Sequence, residues 1–369
     1  MLEIVGKYNT AFISVDDIDS STISQLYKLL NSEISINSNI RIMPDAHAGK
    51  GCVVGTSMTI NDKICPNIVG VDIGCGVFVT KFKSNKKLDF NYIDQTIRSC
   101  IPYGFNRHKN CVYDKDELKH LLNNIKCDFT YETAMLSICS LGGGNHFIEI
   151  NKSNEDDVYY LVIHSGSRFL GVEIAGYYQK KAIEYKHKNN LSIDDDIAYI
   201  VDDDLNNYLH DMELVQIYAK LNRILMSNII IKNLDNIEIL EQFSSIHNYI
   251  DVKNKILRKG AISAYKNQKL IIPINMRDGS LICLGKGNEE WNCTAPHGAG
   301  RLLSRSEAKH MLNINDYKND MNGIFSTCVS KSTIDESPRA YKSIDYIIRN
   351  VENFVDIIEV IKPVYNFKA

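Results

Sequence analysis

Val69-Gly70-Val71-Asp72-Ile73-Gly74-Cys75-Gly76 places a carboxylate and a thiol three residues apart among glycines and branched apolar residues. The apolar residues predict a buried strand, and a buried Asp needs a partner. Glycine lets the backbone approach something closely, or bend so that both side chains reach one point. A metal ion would satisfy both groups, since a thiolate and a carboxylate are each ligands. The segment alone also fits a core strand with an inert Cys and a hydrogen-bonded Asp. Residues elsewhere in the chain bear on that choice.

The 369 residues are 44% hydrophobic and 24% charged, the balance of a soluble globular protein. That length suits two ordinary domains or one large one. The first residues show no basic-then-apolar signal pattern, and no run approaches a membrane span. Ten cysteines occur without paired spacing or a CxxC, so a reducing cytoplasm is expected and a disulfide framework is not. A net charge of -3 argues against a generally basic, nucleic-acid-coating surface and leaves only a local basic groove.

The pattern along the chain is α+β without a clear domain cut. A helix is expected over Ser20–Leu30, and strands with tight loops over Arg41–Val79. Helices are expected over Phe90–Ile101 and Asp114–Ile125. A loop enters a strand over Leu141–Ile150, and Tyr159–Ser165 is another strand. An amphipathic helix follows a Gly turn over Val172–Asn189, and Ile193–Leu240 reads as long and helical. Its acidic triplets, Asp194–Asp196 and Asp202–Asp204, read as solvated helix starts. Ala261–Leu284 returns to strands. Helices over Arg301–Met311 and Ser343–Val355 precede a strand ending at Lys368-Ala369.

Four histidines have unusual settings. His146 follows Gly142-Gly143-Gly144-Asn145, whose backbone N–H groups can face an anion. His164 ends a strand in His164-Ser165-Gly166-Ser167-Arg168, and His247 precedes Asn248. His297 sits in His297-Gly298-Ala299-Gly300-Arg301, where glycines lead toward a helix and make an anion site. Each alone also fits a hydrogen-bonded structural histidine. Their company of Gly, Ser, Asn and Arg at element ends is that of an active site. His47 could line a site too, whereas His187, His210 and His310 read as surface residues.

Taken in order, MPDAHAGKG (43–51), VGVDIGCG (69–76), GGGNHFIEI (142–150), HSGSR (164–168), HN (247–248), RKGAISA (258–264), GNEE (287–290), HGAGR (297–301) and AYKSID (340–345) resemble the RtcB family of RNA ligases from about Arg41 to the end. The resemblance implies an RtcB-like α+β fold: mixed β-sheets flanked by helices around a central metal and nucleotide cleft, in one catalytic domain over 1–369. It implies an enzyme that joins an RNA 3′-phosphate or 2′,3′-cyclic phosphate to a 5′-hydroxyl, in RNA repair or tRNA splicing. The cofactors it implies are GTP and two Mn²⁺ ions.

The family's metal ligands fall on Asp72, Cys75, His146, His164 and His247, with Cys75 bridging, and its guanylylated histidine on His297. Its GTP-binding positions fall on Asn145, His146, Phe147, Ile148, Glu149, His247, Asn248, Pro273, Ile274, Asn275, Met276, Ser280, His297, Gly298, Ala299, Gly300 and Lys368. Arg41, Arg168 and Arg301 are candidate phosphate clamps, because a guanidinium pairs with phosphate oxygens. One Cys with several His suits zinc as well as manganese, so Mn²⁺ is taken from the family alone.

The chain departs from the family where Pro-Gly-Ser-Met-Gly becomes Pro273-Ile274-Asn275-Met276-Arg277, and where a terminal Lys-Gly becomes Lys368-Ala369. Asn275 is expected to offer the nucleotide a hydrogen bond, and Arg277 a positive charge. Its shorter length resembles the branch encoded beside release-factor-H-type proteins, for which an activating helper protein is a candidate partner. A monomer free of membrane is expected. Two other readings keep part of the site: a metal-dependent 2′,3′-cyclic phosphodiesterase, and a non-catalytic RNA-end-binding module.

Overall fold

Alternating apolar positions pair into two large sheets in the computed structural model, which describes residues 1–113 and 115–368. The larger sheet has seven strands. Their order is Ile237–Ile246, Gly76–Ser84, Val158–Ser165, Phe147–Lys152, Val355–Lys368, Gly279–Gly285 and Lys269–Asn275. Every neighbouring pair is antiparallel. The six-stranded sheet runs Leu2–Val5, Thr10–Ile13, Ile40–His47, Val54–Thr59, Ile256–Lys259 and Asn248–Asp251. A two-stranded ribbon, Ala261–Ser263 with Thr294–Pro296, lies between residues of both. The α+β class expected from the sequence is the observed one.

Alternation along the strands gives the larger sheet two different faces. Ile148, Ile150, Leu161 and Ile163 face a core that includes Met226 and Ile230 of the helix Asp202–Lys232. Phe147, Val162, Ile271 and Ile282 face the other way. The helix buries Leu205, Tyr208, Met212, Val215, Ala219, Asn222, Met226 and Ile230, a stripe with helical spacing. Asp202, Asp203 and Asp204 occupy its first turn, where carboxylates complement the positive helix end. Asp194 precedes the short 3₁₀ turn Asp195–Ile197, so both triplets stand at helix starts as expected. All ten cysteines are free. Among the described residues, no helix is long and apolar enough to cross a membrane.

Several expected boundaries shift. Val69–Gly76 is not a strand: Pro66–Val69 is a helical turn, and the strand starts only at Gly76. Gly70 and Gly74, with φ of 89° and 70°, turn the chain where an extended strand cannot. The helical reading of Ile193–Leu240 fails after Lys232. Asn236 takes a left-handed φ of 50°, and Ile237–Ile246 pairs with Gly76–Ser84 instead. The helix expected from Val172 begins at Arg168, because Gly171 packs inside its first turn. The helix expected from Arg301 begins at Arg305, capped by Ser304 with Glu307 reaching back. Its N-terminus therefore does not lie at His297. The C-terminal helix is shorter than expected, Ile344–Asn350. Ser20–Leu30 matches its expected limits, and Phe90–Cys100 stops one residue before its own. Asp114, the first residue of an expected helix now seen over Lys115–Asn123, and Ala369 lie outside the described residues.

Gly76 is a tight point of the larger sheet. A Cβ there would lie 2.4 Å from the Ser245 carbonyl oxygen and 2.6 Å from Ile246 Cα. Gly76→Val should cost about 1–3 kcal/mol, as overpacking does. Urea denaturation would measure this, and an unchanged midpoint would show that the strands separate freely.

Candidate active site

The antiparallel register gathers the sequence's candidate metal ligands at one end of the larger sheet. Gly76 pairs with Ile246 on one side and Ser165 on the other, while Phe147 pairs with His164. Cys75 and His146 thus sit just before their strands, His247 just after its strand, and His164 within its own. Cys75 Sγ lies 3.3 Å from His164 Nε2 and 3.5 Å from His146 Nε2. His146 Nε2 is 3.0 Å from Asp72 Oδ2, and His164 Nε2 is 3.0 Å from His247 Nε2. Asp72 reaches the cluster because Gly166 has no side chain: a Cβ there would lie 1.9 Å from Asp72 Oδ1.

The donors are pre-set for a cation. His146 Nδ1 faces the Leu141 carbonyl at 2.8 Å, and His164 Nδ1 faces that of Asn145 at 3.1 Å. A carbonyl only accepts, so each Nδ1 carries a proton and each Nε2 is turned into the cluster. Burial and neighbouring histidines hold His164 and His247 well below the ordinary imidazole range, so both are neutral. Burial also opposes ionisation of Asp72, but the hydrogen bond and charge of His146, helped by Cys75 and His164, hold its carboxyl at about 2. Burial and Asp72 push the Cys75 thiol well up. A metal binding there would displace the thiol proton. One carboxylate, one thiol and three imidazoles converging in this way fit a divalent metal, zinc as readily as manganese.

The long helix fastens this end from behind. Arg223 is wholly buried, and its NH1 donates to the carbonyls of Gly74 (2.7 Å) and Ser165 (2.6 Å). Its Nε and NH2 have no protein partner. Burial lowers its guanidinium to about 10, against the upward pull of Cys75 and Asp72. Asn222 donates to Ser140 O and Gly166 O, and its Oδ1 accepts from Ser140 N. Neither residue belongs to a motif read from the sequence. Their signal was a polar pair on the helix's apolar stripe between Ala219 and Met226.

Beside the cluster lies a cavity of about 310 Å³, within the usual range of small-molecule sites. It is lined by Asn145, Phe147, Glu149, His247, Asn248, Pro273 through Met276, Ser280, His297 through Gly300, and Lys368. Two of the expected nucleotide residues lie elsewhere. His146 sits behind the cavity in the metal cluster, and Ile148 points into the core on the opposite face of its strand. His47 also lines the wall.

His297 is held by a residue the sequence reading did not single out. Asp45 is wholly buried, and its Oδ2 lies 2.7 Å from His297 Nδ1 while accepting from the backbone N–H of His297 at 3.1 Å. That fixes the proton on Nδ1 and leaves Nε2 free. The His247 ring stacks on His297 with centroids 4.7 Å apart, joining the metal end to the cavity. Lys342 donates to Pro44 O at 2.9 Å and steadies the Asp45 strand.

The far wall carries charge. Glu149 is buried; its Oε2 accepts from Asn366 at 2.6 Å, and its Oε1 has no partner. Burial pushes its carboxyl up to about 7. Lys368 pairs with Glu336, which also accepts from Tyr341 OH at 2.7 Å and from Arg301, and forms an ion pair with Arg305. Lys259, which pairs with Asn248 in the six-stranded sheet, is 7% exposed at the cavity and has no acidic partner among the described residues. Sequence reasoning missed Glu336, Arg305 and Lys259 as site residues, although Lys259 stands inside a quoted motif.

Three expectations about polar contacts change. Arg41 is not at the cavity: its guanidinium stacks on Phe12 at 4.4 Å and donates to Glu290 O. Asn275 is occupied by its own turn, giving its Nδ2 to Asp278 and accepting from the N–H groups of Arg277 and Asp278. Arg277 is neutralised by Asp278 at 2.9 Å and Asp320 at 3.6 Å. Arg168 lies beside the metal end, donating to Ser140 Oγ and Gly104 O, and Arg301 lines the cavity.

Arg223→Met would strand two buried carbonyls and remove the cation behind Cys75 and Asp72. Divalent-metal affinity, measured by chelator competition, should fall about 10–100-fold, the usual effect of losing a group that supports ligands. Affinity within twofold of wild type would sever the helix from the metal end.

A family model described as tRNA-splicing ligase RtcB matches residues 25–134 and 123–369. An RNA-splicing ligase RtcB from Escherichia coli K12 is 30% identical over 373 residues, covering 90% of this chain and 91% of that protein. A tRNA-splicing ligase RtcB from Nanoarchaeum equitans is 26% identical, covering 90% and 86%. One from Methanococcus maripaludis is 26% identical, covering 83% and 82%. With its motifs gathered around one cavity and the family model spanning most of its length, the chain belongs to the RtcB family.

Proposed function

We propose that this protein is an RNA ligase that seals a 3′-phosphate or 2′,3′-cyclic phosphate end to a 5′-hydroxyl end, using GTP and Mn²⁺, in RNA repair or tRNA splicing. The observation that carries this reading is His297. Its Nδ1–H is held by buried Asp45, and its Nε2 is free on a cavity wall shared with the metal cluster. A neutral imidazole oriented this way is an activated nucleophile. We assign the whole reaction to one chain, since residues of both large sheets line the same cavity.

His297 Nε2 attacks the α-phosphorus of GTP, forming a P–N bond as pyrophosphate leaves. Asp45 stabilises the cationic ring that results. An oxygen of the RNA 3′-phosphate then attacks that phosphorus, the P–N bond breaks, and Nε2 regains its lone pair. The product is an RNA(3′)pp(5′)G end. The 5′-hydroxyl of the second strand attacks the RNA phosphorus and releases GMP. A cyclic end is opened by water to the 3′-phosphate beforehand. Two metal ions held by Asp72, Cys75, His146, His164 and His247 would neutralise phosphate charge. Gly298 and Gly300 let backbone N–H groups approach the phosphate. Lys259, an ammonium without a carboxylate, suits the triphosphate.

Guanine fits the far wall by its hydrogen-bonding edge. Its N1–H and amino group donate, which suits the unpartnered Oε1 of Glu149, and its O6 accepts, which suits Lys368. Adenine reverses that pattern.

With GTP labelled at the α-phosphate and MnCl₂, the protein should take covalent, acid-labile label. His297→Ala should take none, and Asp45→Asn should be slower by about 10²–10⁴-fold, as for loss of a proton-positioning partner. Label on His297→Ala protein would refute the mechanism; hydrolysis of cyclic ends without any label on the wild type would leave the phosphodiesterase.

Glu149 adds a pH dependence. Its carboxyl ionises near 7 rather than the usual 4.5, because of burial. Between those values the folded state holds a proton the unfolded chain has lost, so this group makes stability fall as pH rises through that window, then level off. GTP binding, which needs the carboxylate, should tighten from pH 6 to 8, and Glu149→Gln should flatten the profile. A wild-type profile as flat as that of the variant would remove Glu149 from the base site.

A further inference from the structure

Phe105 is 91% exposed, more than any other large apolar side chain among the described residues. Its loop is nonetheless fastened. Leu141 N donates to Pro102 O at 2.9 Å, Gly104 N to Gly142 O at 2.8 Å, and His108 N to Leu136 O at 3.0 Å. Arg168 NH2 donates to Gly104 O at 2.7 Å, and His108 Nε2 donates to Cys139 O at 3.0 Å. A Cβ on Gly143 would lie 3.5 Å from Gly104 Cα. The loop is thus packed on the glycine turn that leads into Asn145 and His146.

The surroundings of the ring are cationic. Residues 101–113 contain Arg107, His108 and Lys109 and no acidic residue. Arg107 donates to Thr133 Oγ1 at 2.8 Å, and neither it nor Lys109 pairs with a carboxylate among the described residues. Between this loop and the Asp72–His146 pair stands Arg168, whose side chain makes no ion pair there.

We infer that Phe105 is a stacking platform for the last base of a single-stranded RNA ending in a 3′-phosphate, with Arg107 and Lys109 on its backbone phosphates. The inference rests on the RNA-ligase reading above. Unpaired bases stack on exposed aromatic rings, and adjacent cations take the phosphates. One ring among cations, with Val112 the one other exposed large apolar side chain among residues 101–113, is too small a patch for a protein or membrane partner. The 3′-phosphate strand is chosen because the loop abuts the glycine turn and Arg168, which lead to the metal ligands.

The test is anisotropy of labelled single-stranded RNA with Mn²⁺-loaded protein and no GTP, comparing a 3′-phosphate oligonucleotide with one bearing hydroxyls at both ends. Phe105→Ala should weaken the 3′-phosphate oligonucleotide about 5- to 100-fold, the worth of one stacked base. Phe105→Trp should keep wild-type affinity. A 2-aminopurine at the 3′ end should be quenched by wild type and Phe105→Trp but not by Phe105→Ala. Arg107→Ala/Lys109→Ala should lower the salt dependence of binding. Melting midpoints check that each variant is folded. Phe105→Ala affinity within twofold of wild type, or an equal loss for the hydroxyl-ended oligonucleotide, would overturn the platform alone. Wild-type protein that binds neither RNA would overturn the ligase reading with it.

Discussion

The site depends on the antiparallel register of four neighbouring strands, Ile237–Ile246, Gly76–Ser84, Val158–Ser165 and Phe147–Lys152. A one-residue slip would turn His164 to the opposite face and separate it from Cys75. The register is pinned at Gly76, which pairs with strands on both sides and which Ser245 and Ile246 approach too closely for any side chain. It is continued by the last strand, since Lys368 pairs with Phe147, the residue opposite His164. One row across the sheet therefore runs from the candidate metal ligands to the far wall of the cavity. The spacing between that cluster and the cavity's far wall is a property of strand pairing, which loops alone would hold less firmly.

The six-stranded sheet supplies the other half. Asp45, on Ile40–His47, crosses to His297, which follows the ribbon strand Thr294–Pro296. Gly260 keeps this junction open: a Cβ there would lie 2.1 Å from Val54 Cγ1 and 3.3 Å from His297 Cε1. His297 and its orienting carboxylate thus belong to one sheet system and the candidate metal ligands to the other. Stacking of His247 on His297 is where the two meet.

Most motif positions were legible because they are short local patterns of glycine with His, Asp or Asn. Periodicity also placed the helix Ser20–Leu30 and the strand before Ser165. What escaped notice was non-local. Asn222 and Arg223 interrupt the helix's apolar stripe, and their partners appear only when that helix is laid behind Gly74 and Ser165. Glu336 gains its place only through Lys368, Tyr341 and two arginines far from it in the chain. The strand reading of Val69–Gly76 failed because apolar character outweighed three glycines, two of which take left-handed turns. Ile237–Leu240, the start of the strand Ile237–Ile246, was read as helix because its partner strand lies more than a hundred residues earlier.

Asn275 and Arg277, which replace small residues of the family pattern, show how a departure can be absorbed. Each could have intruded on the cavity, but Asp278 engages both side chains, and Asp320 adds to the hold on Arg277. The turn closes on itself: Asn275 stays in the cavity lining with Pro273, Ile274 and Met276, its side chain engaged by the turn, and Arg277 stays out of that lining. Charge on the remaining wall then comes from Lys50, Lys259, Arg301, Arg305 and Lys368 against Glu149 and Glu336. In a chain of net charge -3, that is a local positive field inside a concave site. Low-dielectric walls strengthen such a field for a polyphosphate and for an RNA end, without a basic coat over the rest of the surface.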